Sequence, residues 1–123
     1  MPATEENPEL RRRLCAELWT SFTALIRSYV AAHDLARPVA SHAQVEAEAG
    51  RLTLRAERKI LLVLDFDPAR GAGNWAVYDG ERVLEQGGFE IDEDSRVALS
   101  DRAGKLELEV AAEAFTAKVF SED

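Results

Sequence analysis

Leu64-Asp65-Phe66-Asp67 is the one stretch of this 123-residue chain in which residue type and spacing suggest chemistry. Its two carboxylates close a strand-like run, and a carboxylate at the C-terminal end of a strand can meet a bound metal and a phosphoryl group. The residues before them, Ile60-Leu61-Leu62-Val63-Leu64, are five large aliphatics in a row, with neither alternation nor the length for a helix. They read as a strand covered on both faces, in the middle of a sheet.

The segment Ile60 to Asp67 resembles the first motif of the haloacid-dehalogenase-type phosphotransferases. That resemblance implies Asp65 as the nucleophile toward phosphate and Asp67 as acid and base, with magnesium nearby. It covers these few residues only. Pro68-Ala69-Arg70 stands where the family has Gly-Thr, and the remainder reads as hairpins and a tail, without the βαβ units that carry the family's later motifs. The competing reading is a strand whose exit acids are solvated, with Pro68 and Gly71 shaping the loop. The sequence favours it, so no catalytic residue is assigned.

The other chemical signals are weaker. Gly71-Ala72-Gly73-Asn74 follows a strand as a phosphate-cradling loop would, but it lacks a third glycine, a lysine and a following helix, and reads as a hairpin loop. His33 and His42 have no Cys, Glu or second His at ligand spacing, and a histidine near a helix C-terminus complements the helix dipole. Cys15 lies beside a helical apolar stripe, where a buried inert thiol is expected. Glu90, Asp92, Glu93 and Asp94 lack the alternating acids and central glycine of a calcium loop and read as a solvated turn. No metal or cofactor is expected.

The framework begins with Asn7-Pro8-Glu9, a cap, a first-turn proline and a first-turn acid. Apolar residues then recur at Leu14, Cys15, Leu18, Phe22, Leu25, Ile26, Tyr29 and Val30, predicting an amphipathic helix from about Pro8 to about His33, with Trp19 as a packing residue on its rim. Arg37-Pro38 stops it. Val45, Ala47 and Ala49 alternate with acids, Leu52 and Leu54 with polar residues, giving a hairpin about Gly50. The central strand runs from Lys59 to about Phe66, followed by a loop from Asp67 to Gly73. Asn74–Tyr78 and Glu81–Glu85 flank Asp79-Gly80, which predicts a type I′ turn with both positions at positive φ. Gly87-Gly88 bends the chain before Phe89-Glu90-Ile91, and Val97–Leu99 is at most a short strand; in the tail Leu106, Leu108 and Val110 alternate as in a strand, yet Ala-Ala-Glu-Ala-Phe favours helix, so the stretch from about Glu107 to Phe120 is read as helix with strand as the alternative.

The expected fold class is therefore α+β: a long N-terminal helix packed on an antiparallel meander of about five or six strands, with a C-terminal helix. One domain is expected over 1–123, with 1–6 disordered. The lone Cys15, the absence of a signal-like N-terminus and the lack of a run of roughly 20 apolar residues point to a soluble cytoplasmic protein without membrane contact.

The formal charge is −8. Residues 1–78 carry 10 acids and 10 bases, whereas residues 79–123 carry 13 acids and 5 bases, so the whole excess sits in the last third. Such a surface repels phosphate backbones, which speaks against nucleic-acid binding. Two function classes follow. One is a small acidic interaction module of the chaperone, adaptor or inhibitor kind, whose Glu85, Glu90, Asp92, Glu93 and Asp94 would meet a basic protein partner. The other is a small-molecule binder with a cleft between sheet and long helix, near Trp19, Trp75 and Tyr78.

Overall fold

The computed structural model describes residues 8–36, 43–48, 50–55, 60–100 and 103–120. The expectations of a frayed terminus, the Asn7 cap, the Arg37-Pro38 stop and the position of His42 lie outside the described residues. The element order is α1 (Pro8–Ala36), β1 (Gln44–Glu48), β2 (Arg51–Arg55), β3 (Ile60–Asp67), β4 (Ala72–Asp79), β5 (Arg82–Ile91), β6 (Arg96–Leu99), β7 (Lys105–Glu107) and α2 (Leu108–Phe120). The strands form one antiparallel sheet in strictly sequential order, β1 to β7. This is the expected α+β meander, with seven strands in place of five or six.

Each strand owes its placement to parity. Leu52 and Leu54 on β2, Leu62, Leu64 and Phe66 on β3, Trp75 and Val77 on β4, Phe89 and Ile91 on β5, and Val97 and Leu99 on β6 are all buried. Cross-strand partners such as Leu54, Leu62 and Val77 show that these residues share one face. Both helices cover that face. Cys15, Trp19, Phe22, Ile26 and Val30 of α1, at helical spacing, join Ala111, Ala112, Phe115 and Val119 of α2 in the same core. Six rings tie the layers together: Trp19 stacks on Phe66 at 5.1 Å, and Phe115 meets Phe22, Trp75 and Phe89 edge-on at 5.9, 5.8 and 6.0 Å. Among the described residues the buried hydroxyls of Thr23 and Thr116 are satisfied within their helices, Thr23 donating to the Thr20 carbonyl and Thr116 to that of Ala112.

The reading of β3 as covered on both faces is corrected. Leu62 and Leu64 are fully buried, but Leu61 and Val63 are only half-buried because both helices lie on the other side. Trp19 is likewise a core residue, 6% exposed, and not a rim residue.

Four features differ locally from expectation. β4 starts at Ala72, within the expected loop, and β5 runs unbroken through Gly87-Gly88. At the β4–β5 turn, Gly80 has φ +66 while neither Asp79 nor Glu81 has positive φ, so the two-residue loop is Gly80-Glu81 with the φ signature of type II′. Only the glycine supplies the left-handed residue, and the ladder absorbs the shift as a bulge in which Leu84 has no cross-strand partner. Lys105–Glu107 is a strand that passes directly into α2 at Leu108, so Leu106, Leu108 and Val110 alternate with Glu107 and Glu109 across the junction while Leu108, Ala111, Ala112, Phe115 and Val119 keep helical spacing.

Candidate functional site: the uncovered sheet face

With the helices on one side, the opposite face of the sheet has no cover among the described residues. The ladder registers fix what it displays. One row reads Gln44, Arg55, Leu61, Tyr78 and Val83; the next Glu46, Thr53, Val63, Ala76 and Gln86; the third Glu48, Arg51, Asp65, Asn74 and Gly88. The centre is apolar, with Leu61, Val63, Ala76 and Tyr78 half-buried by their neighbours. It continues to the β5 side of the bulge, where Val83 and Leu84 are 44% and 43% exposed. A depression of about 680 Å³ lies over this region, lined also by Arg51, Asp65, Asn74 and Gln86.

Asp65 sits at the edge of that depression and is held by Arg51. The guanidinium Nε and Nη2 donate to its two oxygens at 2.7 and 3.2 Å, and the carboxylate in turn raises the arginine's pKa. Asp67 shapes the turn after β3: its Oδ1 accepts from the Ala69 amide at 3.0 Å, and its carbonyl accepts from Arg70 and Gly71. Each acid of the Asp-Phe-Asp motif thus has a partner of its own, on a strand antiparallel to both neighbours. Among the described residues no group of three or more His, Cys, Asp or Glu side chains is arranged to hold a metal ion.

The aromatic residues expected to line a common cleft are divided between the two faces. Trp19 and Trp75 lie in the helix-covered core and Tyr78 on the open face, since three residues along a strand reverse the side. Trp75 meets Phe115 edge-on and lies under Lys118, whose Nζ stands 4.5 Å from the ring centroid, and among the described residues its buried Nε1 has no hydrogen-bond partner. Cys15 is buried in the core, and loss of solvent contact pushes its thiol pKa up.

The acids are also dispersed. Glu85 faces the helices and accepts from Lys118 at 2.9 Å, whereas Glu90 lies five residues along the same strand, roughly 17 Å away, on the other face. Asp92 caps the β5–β6 turn, accepting from the Asp94 and Arg96 amides and from Lys105 Nζ at 2.7 Å. The lysine's hydrogen bond holds the Asp92 carboxyl below its ordinary pKa. Glu93 is 3.9 Å from Arg11. Three of the five acids expected to await a basic partner are therefore paired within the chain.

Comparison with protein-family models, with curated proteins and with solved structures finds no match to this chain. No described helix is long and apolar enough to cross a membrane.

Proposed function

We propose that this protein is an interaction module that seats a protein partner on the uncovered face of its sheet. The observation that carries the reading is the in-register apolar centre Leu61, Val63, Ala76 and Tyr78, continuous with the exposed Val83 and Leu84. A two-layer α+β domain needs only one face of its sheet for its core, and aliphatic residues in the middle of the other face cost solubility unless something covers them. Around this centre stand Thr53, Asn74 and Gln86, and the Arg51–Asp65 pair, a polar rim suited to a protein surface.

A small molecule held between sheet and helix would have to displace Trp19, Phe66 and Phe89, which occupy that space in mutual contact. The interaction reading therefore takes precedence. Its test is affinity capture from the native host with the parent and with Leu61→Glu, identification of the captured proteins, and measurement of their affinities with purified components. A partner bound by the parent and lost by Leu61→Glu, while the variant still unfolds cooperatively within about 10 °C of the parent, is the expected result. The same partners held equally by both chains, or a melting temperature raised by a metabolite and insensitive to Leu61→Glu, would refute the reading.

A further inference from the structure

The sheet has two edges of unequal character. β7 is three residues long and passes at once into α2, whereas β1 offers five residues, Gln44 to Glu48, four of them exposed. Among the described residues β1 pairs with β2 alone, and no turn or loop hydrogen bond reaches its outer side. A row of backbone donors and acceptors is thus open along that edge, which is a template for one more strand.

Its side chains decide which strand fits. Gln44, Glu46 and Glu48 project on the open face, in register with Arg55, Thr53 and Arg51, while Val45 and Ala47 project toward the helices. Arg51, across from Glu48, is already engaged by Asp65, and neither Glu46 nor Glu48 forms an ion pair among the described residues. Antiparallel pairing with a second copy centred on Glu46 would set that residue against its own equivalent, and a slip of two residues would set Glu46 against Glu48. Like charges directly opposite oppose pairing, so the edge is guarded against self-association. The same two carboxylates favour a strand that places a cation opposite each of them.

We propose that β1 is a β-augmentation site for an extended segment of a partner protein in which lysine or arginine alternates with apolar residues. Backbone hydrogen bonds supply the docking, the basic side chains meet Glu46 and Glu48, and the apolar side chains lie beside Val45 and Ala47. The site is separate from the apolar centre around Leu61 and stands whether or not that centre binds a partner.

The test uses three capped peptides: Val-Lys-Val-Lys-Val-Thr, the same sequence with alternate backbone nitrogens methylated so that it cannot complete a ladder, and Val-Glu-Val-Glu-Val-Thr. Binding is followed by amide hydrogen exchange on the full chain. The expected result is that the first peptide alone slows exchange at amides within 44–48, and that Glu46→Gln/Glu48→Gln weakens it about fivefold or more. Leu61→Glu should leave that binding intact, which separates failure here from failure of the sheet-face reading. Equal binding of the methylated peptide would show charge attraction without strand addition and overturn the proposal. So would protection confined to other strands, or no binding of the first peptide.

Discussion

Trp75 lies directly across the β4–β5 ladder from Gly87, with its six-membered ring over the place where a side chain would stand. A Cβ built on Gly87 would come within 3.1 Å of two indole carbons and 2.6 Å of Ser100 Oγ, the hydroxyl that accepts from the Gly88 amide. The glycine admits the indole to the core and the indole covers the bare backbone, a cross-strand exchange that pins the register. Gly87→Ala should therefore destabilise the fold by about 1–3 kcal/mol through overpacking, with altered tryptophan emission. Thermal melts of Gly87→Ala and Gly88→Ala check this. Gly88 offers 3.5 Å of clearance to the nearest atom, so only the first should be strongly affected.

Adjacent positions on β3 should respond differently. Leu62 is fully buried beneath the helices, and Leu62→Ala is expected to cost about 2–5 kcal/mol. Val63 faces the open side, half-buried, so Val63→Ala should cost about 1 kcal/mol or less. Denaturant melts giving equal losses would mean that the outer face is covered after all.

The Asp92–Lys105 contact gives acid sensitivity of a defined sign. Because Lys105 lowers the folded-state pKa of Asp92 from its ordinary 3.8, the contact's contribution is present in full above that value. It is lost as pH falls through the lowered value. Asp92→Asn keeps an oxygen for the Asp94 and Arg96 amides but loses the charge. Its melting temperature should lie below the parent's by a constant interval from pH 8 to about 5, and the interval should close below about pH 4. A constant interval down to pH 2 would remove the charge from the account.

Asp65 is expected to be a surface ion-pair partner without catalytic work. Turnover of an aryl phosphate with magnesium should stay at the uncatalysed background for the parent and for Asp65→Asn alike. Turnover lost in the variant would return the Asp-Phe-Asp motif to chemistry.

Much of the architecture was legible because two periodicities report it directly. The spacing of Cys15, Phe22, Ile26 and Val30 marks a helix with one apolar face, and the alternation in Leu52-Thr53-Leu54 marks a strand with one. What residue type could not show was the side on which cover would fall. Leu61 and Val63 are as aliphatic as Leu62 and Leu64, so the sequence reads as buried through and through although only one side meets the helices. One signal does bear on the site: the odd spacing of Trp75 and Tyr78 places them on opposite faces of one strand. The bases that pair with Asp92 and Glu85, Lys105 and Lys118, stand far from them in sequence and come near only once the chain is folded.

The unbroken order β1 to β7 bears on how the chain reaches this structure. Every ladder joins neighbours in sequence, so each closes a short loop, and the entropy lost on closure grows only as the logarithm of its length. The large separations are concentrated in α1, whose Phe22 meets Phe89 and Phe115 near the far end of the chain. The sheet can therefore assemble hairpin by hairpin at the modest cost of local pairing, while docking of the first-made helix waits on α2, the last-made one. Substitutions within β3 and β4 should slow folding, and those at Phe22 or Ile26 should chiefly hasten unfolding.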